Sequence, residues 1–392
     1  MSLNLDKSTW KRVAFGDVVK NVNVPVRDPE SAGIDRVIAM EHMVPGELKI
    51  RRWGSLDDGT TFTRLVKPGQ TLFGKRRAYQ RKVSYAEFDA ICSGDILTFE
   101  ADKTQLVPEL LPFLVQSNEF FDHALDTSAG SLSPRTSWRD LATFEFDLPR
   151  SLEEQSRIAD LLWSLERHRL ATGAMADSLR ETQVQLSSQR LASLPATARL
   201  GDLTTTRSGP SFVASDVHST PVIGSVPVIG IPNTKPDGSI ELTDVGHVVG
   251  LAGSVGKIDD TSLVLIRTNG NRQRIGNVYS PPVQAHGYAV SAFQFLMQVN
   301  NASDRDYIFC VLAESGMQER MSREASGTVG LGNLAVTWLN DQKIPWSNDP
   351  DERQAVVDEL QHLAAVIDMN SSELATLASL RSSLLIEIFG GN

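Results

Sequence analysis

The sequence predicts an α+β protein in which two similar β-rich domains are separated by two long helices that pack on each other as an antiparallel coiled coil. Three observations support this fold class: an internal repeat, short β-type runs within each copy, and a long amphipathic helix after each copy. The repeat is the most informative of the three, because repeated sequence implies repeated architecture.

The repeat has matching landmarks in both copies. Phe15-Gly16-Asp17-Val18 opens the first copy, and Leu200-Gly201-Asp202-Leu203 opens the second. The later landmarks, in the order turn, proline step and glutamine, are Ala129-Gly130-Ser131, Leu148-Pro149 and Gln155 in the first copy and Ser326-Gly327-Thr328, Ile344-Pro345 and Gln354 in the second. This order predicts a domain over residues 1–150, a helix over 151–195, a second domain over 196–347 and a second helix over 348–392.

Short runs rich in β-branched and aromatic residues, bounded by Gly, Pro and Asp, predict strands in both domains. The clearest runs are 37–40, 71–73, 96–99, 226–230 and 262–266. A single helix is predicted before the Gly-Ser turn of each copy, over residues 109–122 and 305–320.

The ends of the long helices carry helix-start and helix-stop residues. Ser151 and Glu154 form a capping box at the start of the first long helix, and Pro195 stops it. The second long helix has Asp349 as its cap and Pro350 at its first helical position.

Both long helices have an apolar stripe with a spacing of 3.5 to 3.6 residues. About 40 residues at 1.5 Å each give a length of about 60 Å, and a helix of that length needs a partner to cover its stripe. We expect the two helices to cover each other, although each could instead be a core helix of its own domain. The predicted packing positions are Ile158, Leu162, Leu165, Leu179, Leu186, Leu360, Ile367, Leu374 and Leu385.

Length and composition indicate a folded protein of two domains. The chain has 392 residues, 41% of them hydrophobic, and no apolar run approaches the ~20 residues of a membrane span. Two cysteines, Cys92 and Cys310, exclude a disulfide framework and favour a reducing cytoplasm. The net charge of −10 argues mildly against a protein that coats nucleic acid, but a basic face on an acidic protein remains compatible with it.

A basic cluster follows the predicted strand at residues 71–73. It carries five positive charges and no acid, with a tyrosine and a glutamine between them. Such side chains neutralise phosphates and contact base edges, so we predict that the cluster binds DNA or RNA, the alternative being a solvated β-ribbon face. The predicted contact residues are Lys75, Arg76, Arg77, Tyr79, Gln80, Arg81 and Lys82, with Arg135 from the Gly-Ser turn.

The second copy has a loop rich in arginines and amides at the corresponding stage. Its side chains also suit phosphates and base edges, whereas the Asn-Gly pair within it is equally typical of an ordinary hairpin tip. The predicted contact residues here are Arg267, Asn269, Asn271, Arg272, Gln273 and Arg274.

Sequence signals for catalysis are lacking. Gly250 to Lys257 fails as a phosphate-binding loop, because five residues separate the glycines and Ile258 replaces the hydroxyl residue. Ser280-Pro281-Pro282-Val283 lacks both the amide and the aromatic side chain of an adenine methyltransferase motif. Scattered histidines and cysteines show no metal-ligand spacing. We therefore expect a chain that is not an enzyme and holds no metal.

The whole chain resembles the specificity subunit of Type I restriction-modification systems. The resemblance rests on the paired Leu/Phe-Gly-Asp starts, the Gly-Ser turns, the Arg267-Thr268-Asn269-Gly270 loop, and the step from Leu148-Pro149 into Glu154-Gln155-x-x-Ile158-Ala159-x-x-Leu162. The second copy departs from this last motif, with Arg353 in place of the Glu and Asp358 in place of the Ala.

This resemblance implies two target-recognition domains, each reading one half of a split sequence in double-stranded DNA. The helices would set the unread spacer and dock two adenine methyltransferase subunits and, in some systems, motor-nuclease subunits. The chain would be cytoplasmic, with no membrane contact, and would need no cofactor of its own, since the partner methyltransferase binds S-adenosylmethionine. The alternative is a non-enzymatic scaffold whose two protein-interaction domains are spaced by a coiled coil.

Overall fold

A computed structural model describes residues 5–130, 132–251, 253, 255–325 and 331–390. The chain divides into two compact units: Met1–Ala174 with Ser372–Asn392, called the first unit, and Met175–Ser371, called the second unit. Each unit therefore contains one β-rich domain and parts of both long helices. Ser131 and residues 326–330 of the predicted Gly-Ser turns lie outside the described residues.

The first unit is built on two four-stranded sheets and a two-stranded ladder. The first sheet has the strand order Val19–Asn21, Ile96–Ala101, Thr71–Gly74 and Val83–Tyr85. The second has the order Gly54–Ser55, Arg36–Ile38, Ala90–Cys92 and Arg64–Val66. The ladder pairs Lys11–Ala14 with Glu145–Leu148. The helices of the first unit are Phe15–Val18, Leu111–Val115, Asn118–Asp126 and Trp138–Leu141, and its short 3-10 turns are Lys7–Thr9, Met40–His42, Leu56–Asp58 and Ala78–Gln80.

The second unit repeats this plan, except that the outer edge strand of its second sheet lies on the opposite side of the sheet. Its first sheet has the order Thr204–Ser208, Gln294–Val299, Ser262–Ile266 and Val278–Tyr279. Its second has the order Val217–His218, Gly246–Val248, Val226–Ile229 and Ala289–Val290. The ladders pair Ala196–Arg199 with Lys343–Pro345 and Thr268–Asn269 with Gly332–Asn333. Its helices are Leu200–Leu203, Arg305–Ala313, Ser315–Glu324 and Val336–Asn340, with 3-10 turns at Ala214–Asp216, Arg272–Arg274, Val283–Ala285 and Ala302–Asp304.

Each predicted helix before the Gly-Ser turn is a pair of helices, so the prediction of one helix there was wrong. In the first unit Ser117 interrupts the run, because its hydroxyl accepts a hydrogen bond from the Phe120 amide at 3.2 Å and caps a new helix. In the second unit Glu314 does the same, and its carboxylate accepts from the Met317 amide at 2.9 Å. A side-chain cap in mid-run ends one helix and starts another.

The glycine of each Leu/Phe-Gly-Asp start is required by a close approach of backbone. A Cβ built on Gly16 would lie 2.9 Å from the Cβ of Ala142, and one built on Gly201 would lie 2.9 Å from the Cβ of Asn340. Both neighbours follow or end the short helix just before the last strand of the unit. The repeated motif thus reflects one packing constraint that occurs in both units.

The two long helices are Leu152–Ala192, called the central helix, and Pro350–Phe389, called the C-terminal helix. The first unit holds the beginning of the central helix and the end of the C-terminal helix, and the second unit holds their other parts. The helices are therefore antiparallel. Six of the predicted packing positions are buried: Ile158, Leu162, Leu165, Leu360, Ile367 and Leu385. The other three are half-buried: Leu179, Leu186 and Leu374.

The two long helices begin in related but shifted ways. Gln155 is buried, and its amide donates to the carbonyl of Pro149 at 2.8 Å. In the second unit Arg353 has this role, because it is buried and donates to the carbonyl of Ser347, also six residues earlier. Gln354, which the sequence repeat aligns with Gln155, is exposed. In the structure, Gln155 is therefore equivalent to Arg353, one residue before the Gln354 with which the sequence repeat aligns it.

Among the helices of the described residues, none is long and apolar enough to cross a membrane.

Candidate nucleic-acid interface

In the first unit the basic cluster lies on a loop, residues 75–82, that is held by main-chain hydrogen bonds. We call it the basic loop. The amide of Thr136 donates to the carbonyl of Lys75 at 3.1 Å, and the amide of Arg77 donates to the carbonyl of Pro134 at 2.7 Å. The start of the basic loop is thereby joined to the segment that follows the Gly-Ser turn.

The second unit holds its own loop, residues 267–274, in the same way. We call it the amide loop. The amide of Leu334 donates to the carbonyl of Arg267 at 2.9 Å, and Thr268–Asn269 pairs with Gly332–Asn333. The two predicted contact loops thus occupy equivalent places, each after the third strand of its first sheet.

The residue beside each loop differs between the units. Asp95 accepts the amide of Lys75 at 3.0 Å through its carbonyl, and Phe293 accepts the amide of Arg267 at 2.9 Å in the same manner. Asp95 therefore presents a carboxylate where Phe293 presents an exposed aromatic ring. One main-chain bond is thus common to both units, and the carbonyl of Phe293 also accepts the amide of Thr268 at 3.0 Å. The side chains beside the two loops differ in chemistry.

The carboxylate of Asp95 holds two arginines together. Its oxygens lie 3.0 Å from Arg135 Nε and 3.6 Å from Arg76 Nη1. Arg76 also donates from Nε to the hydroxyl of Ser133 at 2.6 Å. This arrangement fixes two guanidinium groups side by side at the junction of the basic loop and the segment after the Gly-Ser turn.

Two of the predicted contact residues in the basic loop are engaged in packing. Arg81 donates to the amide oxygen of Asn118 at 2.6 Å, and its guanidinium lies 4.6 Å from the ring centroid of Phe121. Lys82 donates to the carbonyl of Met40 at 2.7 Å. These contacts attach the loop to the body of the first unit.

Four other side chains of the basic loop make no hydrogen bond or ion pair with the part of the chain that the structure describes: Lys75, Arg77, Tyr79 and Gln80. Arg77 adopts a left-handed backbone conformation with φ 55°, as does Arg81 with φ 52°. These angles, uncommon for residues other than glycine, bracket the turn Ala78–Gln80 and expose Tyr79 between them.

The side-chain oxygens of the asparagines in the amide loop accept hydrogen bonds from main-chain amides of the same loop. Asn269 accepts from the amide of Asn271 at 2.8 Å, and Asn271 accepts from the amide of Gln273 at 3.1 Å. The side-chain NH2 groups are left for other acceptors. Asn271, Arg272 and Gln273 are all exposed.

The other two arginines of the amide loop are turned into the second unit. Arg274 donates to the carbonyl of Thr234 and lies 3.3 Å from the hydroxyl of Tyr279. Arg267 lies 3.5 Å from the carbonyl of Ala292, with its guanidinium 5.7 Å from the Phe295 ring centroid. Both are half-buried, and their contacts fix the loop to neighbouring strands.

Neither Asp95 nor Phe293 is among the contact residues that the sequence predicts. Each directly precedes a long apolar strand, Ile96–Ala101 or Gln294–Val299, and aligning the two copies strand by strand would have placed them together. Groups of three or more His, Cys, Asp or Glu side chains suited to a metal ion do not occur among the described residues.

No protein-family model matches the sequence. No curated protein matches it either. Solved structures do match along its whole length. The S subunit of a Type I restriction-modification system from M. genitalium superposes with a TM-score of 0.60 at 14% identity, covering 100% of this chain and 99% of that one. A chain from a structural study of complex assembly and conformational transition in the type I R-M system has a TM-score of 0.60 at 15% identity and 98% coverage of both chains. The resemblance seen in the sequence is thus confirmed, and the chain has the fold of a Type I restriction-modification S subunit.

Proposed function

We propose that this chain is the DNA sequence-specificity subunit of a Type I restriction-modification complex. It reads a bipartite target in double-stranded DNA with its two β-rich domains and is itself non-catalytic. The observation that carries this proposal is the repeated frame: two units with one fold each hold a cationic or amide-rich loop in the same place by equivalent main-chain hydrogen bonds.

In the first unit we assign DNA contact to the exposed Tyr79, to the half-buried Lys75, Arg77 and Gln80, and to the arginine pair held by Asp95. Lysine and arginine neutralise backbone phosphates, and a guanidinium held in a fixed orientation suits the two acceptors of guanine. Arg81 and Lys82 act as positioning residues, because their partners lie within the unit.

In the second unit we assign base contact to the amides of Asn269, Asn271 and Gln273. The NH2 groups of Asn269 and Asn271 suit base acceptors such as N7 of adenine, because their oxygens serve the main chain of the loop. Gln273 suits the donor and acceptor of adenine together, and the exposed ring of Phe293 suits the methyl group of thymine. The arginine on the exposed turn, Arg272, contributes a phosphate contact. The two units then read half-sites of different chemistry.

The long helices have the second part of the function. We propose that they set the length of the unread spacer and dock two adenine methyltransferase subunits and, where a system has them, motor-nuclease subunits. S-adenosylmethionine is bound by the methyltransferase and not by this chain. The support is the fold shared with S subunits and the length of the two helices, 41 and 40 residues.

The test is to co-express the chain with the methyltransferase encoded nearest to it and map N6-methyladenine across the host DNA. A split motif that is methylated only when both chains are present is the expected result. A double variant, Lys75→Ala with Arg77→Ala, should lower methylation at every copy of the split motif, because weaker phosphate contacts reduce binding of the whole complex. A stable complex that adds no methylation would contradict the proposal and favour a scaffold with two protein-interaction domains.

A further inference from the structure

A cleft of about 370 Å³ lies in the first unit between the helix pair before the Gly-Ser turn and the end of the C-terminal helix. We call it the arginine cleft. Its polar lining consists of Gly46, Arg81, Gln116, Asn118, Arg381 and Ser382, and no carboxylate contributes to its wall.

The arginine cleft is richer in hydrogen-bond donors than in acceptors. Arg381 donates to the amide oxygen of Gln116, and Arg81 donates to the amide oxygen of Asn118. Both oxygens are thereby occupied, and each amide keeps its NH2 group. The Gln116 side-chain nitrogen is buried without a hydrogen-bond partner among the described residues, in a residue that is only 6% exposed. A buried donor left unpaired destabilises the protein until it gains an acceptor.

The charge of the arginine cleft is also uncompensated. Behind it, Glu166 is buried and lies 2.8 Å from Arg169 and 3.5 Å from Arg381, so the two guanidinium groups share this carboxylate, and Glu47 adds a weaker attraction for Arg169. Arg81 adds a further positive charge, which rests on the ring of Phe121 and faces no acid within the cleft. Burial lowers the pKa of Arg381, in keeping with a cation that lacks a full counter-charge.

We infer that the arginine cleft is a binding site for a phosphate group. A tetrahedral oxyanion offers several acceptor oxygens and at least one negative charge, which matches two guanidinium groups and two free amide donors. The inference rests on the geometry of the cleft and not on the proposed function. The phosphate could come from the DNA backbone or from a free phosphate compound, and these sources are separated by experiment below.

The first experiment measures thermal unfolding of the full chain in potassium phosphate and in potassium chloride of equal ionic strength. Phosphate stabilises proteins in general, because it is excluded from their surfaces. Binding in the cleft should raise the Tm of the wild type beyond this common effect, and that extra rise is the response to be measured. Gln116→Glu places a carboxylate against Arg381 and imitates the bound anion. It should therefore raise the Tm in chloride and lose the response to phosphate.

The matched control is Arg12→Gln, which removes an exposed charge of the first unit from the Lys11–Ala14 ladder and should keep the full response. Asn118→Asp serves as a second variant at the other amide and should also lose the response. The inference is overturned if the wild type responds equally to the two salts, or if both acidic variants respond to phosphate as strongly as the control does.

The source of the phosphate is settled with a DNA duplex in a fluorescence anisotropy titration over a range of salt. If the group belongs to DNA, Gln116→Glu should weaken binding and lower the slope of log K against log salt by about 1. If it belongs to a free compound, DNA binding by the variant should equal that of the wild type. A chain that binds no DNA would contradict the proposed function, while the phosphate-dependent Tm would still decide the inference.

Discussion

Arg353 and Asp304 form a buried ion pair inside the second unit, with Arg353 Nη2 2.6 Å and Nε 3.1 Å from the same carboxylate oxygen. The guanidinium also lies 4.2 Å from the ring centroid of Trp346. Asp304→Ala should lower the free energy of unfolding by about 3–5 kcal/mol, because it leaves a buried cation unpaired. Denaturant unfolding followed by circular dichroism measures this. The exposed pair Arg323–Glu319 provides the control, and Glu319→Ala should cost at most about 1 kcal/mol.

The two motif glycines should be intolerant of even one methyl group. Gly16→Ala and Gly201→Ala should each destabilise the protein by about 1–3 kcal/mol, since the new Cβ would overlap Ala142 or Asn340. Gly173→Ala, in the central helix with no atom within 4 Å of the added carbon, should instead stabilise it by about 0.5–1 kcal/mol. Comparing Tm values of the three variants checks the prediction, and equal effects would contradict it.

Asp259 should make the second unit sensitive to acid. Burial raises its pKa, but hydrogen bonds from Thr261, Ser262 and Gln298 outweigh burial, so the pKa lies below its usual value of 3.8. A lowered pKa stabilises the folded state above the unfolded-state value, and this contribution is lost as the pH falls through the folded-state value.

Asp259→Ala should therefore lower the free energy of unfolding by about 1–3 kcal/mol at pH 7, because the substitution removes the hydrogen bonds that the carboxylate accepts. Its difference from the wild type should stay constant above about pH 5 and shrink as the pH falls to and below 3.8. Urea unfolding at a series of pH values measures this. The exposed neighbour provides the control, and Asp260→Ala should change the free energy of unfolding at pH 7 by less than about 0.5 kcal/mol.

If the basic loop and the amide loop contact DNA as proposed, their residues should fall into two experimental classes. Lys75→Ala should weaken binding to every duplex and lower the salt slope by about 1, as expected of a phosphate contact. Asn269→Ala should relax specificity at one base pair, at a cost of about 1–3 kcal/mol. Anisotropy titrations with matched and mismatched duplexes separate the classes, with Arg12→Ala as the control. Unchanged binding after alanine substitution across both loops would show that the residues are wrongly assigned.

The local features of the fold could be predicted from the sequence because each depends on neighbouring residues. The Ser151 hydroxyl accepts from the Glu154 amide at 3.3 Å, as the capping box requires, and the strand Ser262–Ile266 occurs as predicted. The other half of that capping box differs. The Glu154 carboxylate accepts from the indole of Trp10 at 3.1 Å, a contact across 144 residues that no local pattern contains.

The features that could not be predicted depend on residues distant in sequence. The parallel pairing of Arg36–Ile38 with Ala90–Cys92 joins strands that have four other strands between them in the chain, and it builds the second sheet of the first unit. Likewise, the loops predicted for DNA contact were found from charge, but charge does not reveal which cations are already engaged. Arg274 and Lys82 are cations like Lys75, but their side chains donate to the carbonyls of Thr234 and Met40, and only the folded structure shows this.

The two loops are held by hydrogen bonds between main-chain atoms. Every amino acid except proline supplies both the amide donor and the carbonyl acceptor of such bonds. Thr136 to Lys75 and Leu334 to Arg267 are amide-to-carbonyl bonds, so neither depends on the side chain at the loop position. Substitutions on the exposed face of such a loop leave its anchorage intact. A protein built in this way can diversify by point mutation or by exchange of whole loops while its core stays the same, and its descendants would share a backbone but few surface residues.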